Sequence, residues 1–160
     1  MIQAPLYFQS ASGLCSVGWT SDGVNAFRFL GSTSLPEQAV GNAPIWVFEA
    51  VRAITKHLAG EPQGLTHIPL DLTDLTAFQR KVAVVLRSTR PGQTLTYGEV
   101  ALLAGSPGAA RAVGRAVKTN PILLLIPCHR VVAADGPGGW SAFGDPAIKA
   151  RLLELETLHT

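Results

Sequence analysis

The chain has 160 residues, 47% of them hydrophobic and 15% charged, with a mean hydropathy of +0.25 and a formal net charge of +2. That composition excludes a disordered or supercharged chain, which could not bury enough apolar surface to offset the entropy of ordering. No apolar run nears the roughly 20 residues that cross a bilayer, and Met1 to Ser10 lacks a basic flank with an apolar segment after it, so neither a membrane partner nor secretion is expected.

The two cysteines, Cys15 and Cys128, lie far apart and show no C-x-x-C or Cys/His ligand spacing. A disulfide framework and a metal site are therefore not expected, and an intracellular protein with reduced thiols is. The charge is unevenly spread. Met1 to Gln79 carries −3 and Val131 to Thr160 carries −2. Between them, Arg80 to Arg130 holds eight basic residues against Glu99 alone. A basic middle third suits a polyanion, although a solvated basic surface would look the same.

In chain order, Leu14–Thr20 and Val24–Leu30 are β-prone runs around Ser21-Asp22-Gly23 and predict a hairpin. Cys15 alternates within the first run as a small buried hydrophobe would. Pro44 opens a helical pattern through Leu58 with Gly60 as its stop, and His57 near its end is accounted for by the helix macrodipole. Composition shifts near Pro69–Asp74, which places two domains at 1–72 and 73–160. A second helix is predicted from Thr76 to Arg87, with Phe78, Val82, Val85 and Leu86 as its apolar stripe.

Thr96-Tyr97-Gly98-Glu99 predicts a capping box, and the helix it starts stops at Gly105. Ser106-Pro107 then predicts a cap and first-turn proline for a helix that ends at Asn120-Pro121. Two short helices joined by a tight turn suggest a helix-turn-helix, although a packed corner that touches no DNA has the same outline. The second helix is poor in large side chains and in base-reading Asn, Gln or Ser. Its Arg111, Arg115 and Lys118 suit recognition of phosphates and shape. A last helix is predicted from an Asp145 cap through Pro146 to Glu156, after a glycine-rich stretch that contains Trp140.

The apolar run Ile122–Ile126 delivers Pro127-Cys128-His129-Arg130-Val131. A cysteine followed by histidine and arginine sits in an electropositive setting that favours thiolate, and imidazole is the usual base that generates it. Side chains adjacent on a strand diverge, so contact between Cys128 and His129 needs a turn or a bridging water.

This segment resembles the active-site motif of the O6-alkylguanine-DNA alkyltransferases, the methylated-DNA–protein-cysteine methyltransferases. Thr96-Tyr97-Gly98-Glu99, Ala110-Arg111-Ala112-Val113-Gly114 and Asn120-Pro121 stand before it at the family's spacings, and Leu152-Leu153-Glu154-Leu155-Glu156 stands after it. The resemblance spans about Thr76 to Glu156. It implies an α/β (α+β) fold: a small N-terminal α/β domain with a β-hairpin, and a mainly helical C-terminal domain with a helix-turn-helix.

It further implies that Cys128 accepts the alkyl group, His129 takes the thiol proton through a water, and Glu156 orients His129. Arg111 would fill the gap left by a flipped guanine, and Tyr97 would push on its phosphate. Asn120 would brace the turn before the cysteine, and main-chain groups at Cys128 and Val131 would read the guanine edge. Ala110, Arg115, Lys118, Arg130, Trp140 and Ser141 complete the expected substrate and DNA contacts.

The implied partner is double-stranded DNA containing O6-alkylguanine, met by a monomer in the cytoplasm, nucleoid or nucleus, with no cofactor and no metal. Ala83 stands where many relatives carry Trp, and Trp140-Ser141 stands where a Tyr-Ser pair is common. Two alternatives stay open at this point: a non-enzymatic protein that binds alkylated bases with the same fold, and a helix-turn-helix regulator with a redox-sensing Cys128.

Overall fold

The structure is a computed structural model that describes residues 3–31, 34, 42–136 and 146–158. Three antiparallel strands come first: β1 (Leu6–Ser10), β2 (Gly13–Trp19) and β3 (Val24–Phe29), with β2 in the middle. The predicted hairpin is therefore present as β2 and β3. The additional strand, β1, pairs Leu6 with Val17 and Phe8 with Cys15.

The outer edge of β3 is not left open. Val24 N–H donates to the Pro69 carbonyl at 2.9 Å, and Asp71 N–H donates back to the Val24 carbonyl at 2.9 Å. Further along, Phe27 N–H donates to the Pro121 carbonyl at 2.9 Å and Leu123 N–H to the Phe27 carbonyl at 3.3 Å. An edge strand's unpaired amides are thus satisfied by two segments of the same chain, the second of which leads into Cys128. Gly23 permits the first approach. Its φ is +150°, and a Cβ there would lie 2.6 Å from the Pro69 carbonyl group.

Helix α1 (Ile45–Leu58) packs on the sheet through Val47, Ala50, Ile54 and Leu58. Pro44 is its N-cap, and Gly60, at φ +94°, closes it. Helix α2 (Ala77–Arg87) opens on a capping box between Thr76 and Gln79, and buries Val82, Ala83, Val85 and Leu86. Strand β4 (Leu95–Thr96) leads directly into α3 (Tyr97–Leu103), where the predicted box is formed. Thr96 Oγ1 accepts from Glu99 N–H at 3.1 Å, and Thr96 N–H donates to Glu99 Oε2 at 2.7 Å.

The next helix, α4 (Ala110–Lys118), starts later than Ser106-Pro107 predicts. Ser106 caps nothing. Its carbonyl accepts Ala109 N–H at 3.1 Å inside a turn bounded by Gly105 at φ +81° and Gly108 at φ +84°. These two left-handed residues, favourable only without a side chain, consume the residues that would otherwise have made a first helical turn.

After α4 the chain makes a buried reversal rather than a strand. Leu124 adopts φ +68°, Leu125 N–H returns to the Leu123 carbonyl at 2.8 Å, and Ile126 N–H reaches the Ile122 carbonyl at 3.0 Å. Cys128–Arg130 then form one 3-10 turn, and β5 (Val131–Val132) pairs in parallel with β4. Helix α5 (Pro146–Thr157) closes the described chain, burying Lys149, Leu152 and Glu156. The expected Asp145 cap lies outside the described residues, as do Trp140 and Ser141. One hydrophobic cluster runs from Val17, Phe27 and Ile54 to Leu86, Val113, Ile122 and Cys128. No helix among the described residues is long and apolar enough to cross a membrane.

Candidate active site and DNA-facing helix

The 3-10 turn does not join Cys128 to His129: each side chain goes to its own partners, so a proton passed between them needs a bridging water. Cys128 Sγ is fully buried and accepts a hydrogen bond from Asn120 Nδ2 at 3.2 Å. The same amide nitrogen donates to the Ile126 carbonyl at 3.1 Å, while Asn120 Oδ1 accepts Ile122 N–H at 2.9 Å. Asn120 therefore ties the end of α4 to both sides of the reversal and to the sulfur. Burial pushes the Cys128 thiol up to about 12, against the opposing pull of the Asn120 amide, a backbone hydrogen bond and the Lys149 charge.

His129 is equally buried, and its Nε2 lies 2.7 Å from Glu156 Oε1. Its Nδ1 meets no described group. With Nε2 committed to a carboxylate, the proton of the neutral ring sits on Nε2 and Nδ1 is the open acceptor. Burial holds His129 below its ordinary value, with Glu156 pulling the other way. Glu156 stays well below the usual carboxylate range. Burial alone would raise it, but hydrogen bonds from His129, His57 and Arg130 outweigh that.

The sequence places Arg130 among the substrate and DNA contacts, and the structure corrects this. Nε and Nη2 donate to the two oxygens of Glu156, both at 3.0 Å, and Nη1 donates to the Thr89 carbonyl and Oγ1, both at 2.9 Å. Every guanidinium nitrogen is thus used inside the protein, because an isolated buried carboxylate needs a fork of donors to be tolerated. Val131 is buried, and its carbonyl accepts from Lys149 Nζ at 2.8 Å.

Tyr97, half-buried at the start of α3, packs toward α4, where a Cβ on Gly114 would stand 4.0 Å from its ring. Burial raises its phenol, as does the nearby Cys128. On α4, Val113, Ala116 and Val117 face the core, while Arg111, Arg115 and Lys118 are exposed at i, i+4 and i+7 on one face. Ala110 is half-buried beside Arg111.

Sequence reasoning missed three contributors: His57, Lys149 and Thr89. Lys149, Leu152 and Glu156 follow the i, i+3, i+7 spacing of one helix face, so a stripe search that admitted charged residues would have found Lys149. Among the described residues, no group of three or more His, Cys, Asp and Glu is placed to hold a metal ion.

Fold and site together define a class: α/β proteins that hold a cysteine beside a buried His–Glu pair under a helix-turn-helix with a basic second helix. The family model for the 6-O-methylguanine DNA methyltransferase DNA binding domain matches residues 77–158. The chain belongs to the family of methylated-DNA–protein-cysteine methyltransferases. Relatives of that name include the mouse protein, 43% identical over 102 residues, and the Mycobacterium leprae protein, 44% identical over 115 residues. These matches cover 63% and 68% of this chain, and 47% and 64% of the two relatives, so the shared stretch is about half to two thirds of their length. The crystal structure of Mycobacterium tuberculosis OGT in complex with DNA superimposes with a TM-score of 0.79 at 34% identity, covering 98% of this chain and 94% of that one.

Proposed function

We propose that this protein repairs DNA by moving a methyl or small alkyl group from O6 of guanine in a duplex onto Cys128. The observation that carries the reading is the arrangement around His129: Nε2 is fixed on Glu156 at 2.7 Å and Nδ1 is left open, next in sequence to a buried thiol. In the reaction, the thiol proton passes to His129 Nδ1 through a bridging water and the sulfur attacks the alkyl carbon in line. The carbon–O6 bond breaks, its electron pair goes to the guanine, and the base regains one proton as it returns to its keto form. A thioether has no hydrolysable bond, so each molecule reacts once.

An alkylguanine paired in a duplex is hidden from the thiol, and its extrusion costs a few kcal/mol of unstacking. The exposed Arg111, Arg115 and Lys118 give α4 the phosphate-binding face, with Arg111 filling the vacated stack and Tyr97 guiding the nucleotide. The small residues of α4 allow close approach from the minor-groove side. Residues 1–72 then form the smaller domain, and residues 73–160 the unit that meets DNA as a monomer.

Intact-protein and peptide mass spectrometry after incubation with duplex DNA carrying one O6-methylguanine tests the reading. A methyl-for-hydrogen gain confined to the Cys128 peptide, with matching loss of the lesion, is expected. Tight binding without a mass gain would make this a lesion-binding protein instead, and retained transfer in Cys128→Ala would refute the acceptor.

A further inference from the structure

Helix α1 brings a second histidine to Glu156. His57 lies in the last turn of α1, where the macrodipole would account for an exposed basic residue. Its side chain is instead 2% exposed, and Nε2 lies 3.4 Å from Glu156 Oε1, the oxygen that His129 also meets. The helix end is built to hold it there. Gly60 N–H donates to the His57 carbonyl at 3.1 Å and Glu61 N–H to the Lys56 carbonyl at 3.0 Å, a paired closure that turns the chain back over the last helical turn. Gln63 N–H then donates to His57 Nδ1 at 3.1 Å. A ring nitrogen that accepts carries no proton, so the proton of the neutral ring lies on Nε2 and points at Glu156.

Oε1 of Glu156 is therefore approached by three donors: His129 Nε2, Arg130 Nη2 and His57 Nε2. A carboxylate oxygen offers about two good lone-pair directions, so these donors compete for one centre of negative charge. We propose that His57 is a positioning residue that acts on His129 through the shared Oε1, seating the carboxylate and limiting how much of its charge His129 draws. The inference rests on the alkyl-transfer reading for its consequence, because a His129 ring already protonated on Nδ1 cannot take the proton of Cys128, and a stronger bond to Glu156 favours that protonated ring. The charged and titratable groups that face His129 and Glu156 are His57 from α1 and Arg130 from the same turn, with Cys128 next in sequence. Lys149 and Tyr97 face Cys128.

The test compares His57→Phe, which removes the donor and keeps a ring, with His57→Gln, whose amide nitrogen can stand where Nε2 stands. His57→Asn is a further comparison that keeps a partner for Gln63 but does not reach Glu156, and it replaces the Phe variant should that one not fold. In the Phe and Asn variants, the low-field Nε2–H proton resonance of His129 should move downfield as its bond to Glu156 strengthens. The acid limb of the single-turnover transfer rate should rise by about half a pH unit, so the rate measured within that limb should fall about threefold while the neutral plateau changes little. His57→Gln should restore all three. A packing defect alone would lower the melting temperature and move neither the resonance nor the acid limb. A resonance or acid limb that stays in place in a folded Phe or Asn variant would overturn the inference. If the unmodified protein transfers no methyl group, the alkyl-transfer reading fails, and the His129 resonance by itself still decides whether His57 acts through Glu156.

Discussion

His129 and Glu156 meet at 2.7 Å through Nε2 and Oε1, and that contact decides which ring nitrogen is left to take a proton. The carboxylate also neutralises Arg130, whose guanidinium is otherwise bound to Thr89. Glu156 therefore does two jobs that a single substitution would conflate. Glu156→Gln leaves Arg130 as a buried charge without its counter-ion, which costs about 3 kcal/mol or more. It should lower the urea midpoint sharply and slow transfer by more than tenfold. Adding Arg130→Met should recover much of the stability, because the orphaned charge is gone, and none of the rate. A double variant that regained transfer would show that Glu156 serves only to pair Arg130.

The Asn120 amide donates to the Cys128 sulfur at 3.2 Å. Asn120→Asp keeps the acceptor for Ile122 N–H but removes the donor to Sγ and to the Ile126 carbonyl. A carboxylate facing the sulfur should raise the thiol further, adding to the rise that burial already causes. A hydrogen bond to a charged group is worth about 1.5–3 kcal/mol, so the single-turnover rate should fall roughly 10- to 100-fold. Duplex affinity, measured by fluorescence anisotropy, should stay within a factor of about two, since α4 is untouched. Loss of affinity in parallel with rate would mean that Asn120 supports the placement of α4 and not the thiol.

Arg111, Arg115 and Lys118 share the exposed face of α4. Removing Arg115 and Lys118 together should weaken duplex binding most at low salt. The slope of log affinity against log salt should shrink by about one for each phosphate that is no longer neutralised. Arg111→Ala should behave differently. It should slow repair in duplex DNA far more than reaction with free O6-benzylguanine, which needs no flipping. Equal losses on both substrates would remove Arg111 from the flipping step.

The parts of this molecule that are legible in the sequence are those ruled by local chemistry. Thr96 and Glu99 announce a helix start because both halves of the capping box lie within four residues. Pro127-Cys128-His129-Arg130 and the spacing of the surrounding motifs point to the site without any knowledge of the fold. What stays hidden depends on contacts distant in sequence. Arg130 reads as a surface cation until Glu156 and Thr89, 26 and 41 residues away, are seen to enclose it. His57 reads as a helix-end charge until α5 packs against it. Ser106-Pro107 misleads for a different reason. It carries a valid start signal, but the left-handed Gly108 after it breaks the first turn, and a glycine's φ cannot be read from its letter.

The buried His129–Glu156 pair also predicts how the fold responds to acid. His129 is held below its ordinary 6.5, mainly by burial, so the unfolded chain binds that proton more readily than the folded one. The stability this contributes is complete above pH 6.5 and is lost as pH falls toward the folded value. Glu156, held below its ordinary 4.5, adds a loss of the same sign that sets in below that pH. Unfolding free energy from urea melts should therefore fall on going from pH 7 to pH 5, with a slope from His129 approaching about 1.4 kcal/mol per pH unit. In His129→Gln, the part of that slope above pH 5 should flatten while the part below 4.5 persists. A variant whose slope above pH 5 matched the original protein's would show that His129 is not the group that takes up the proton.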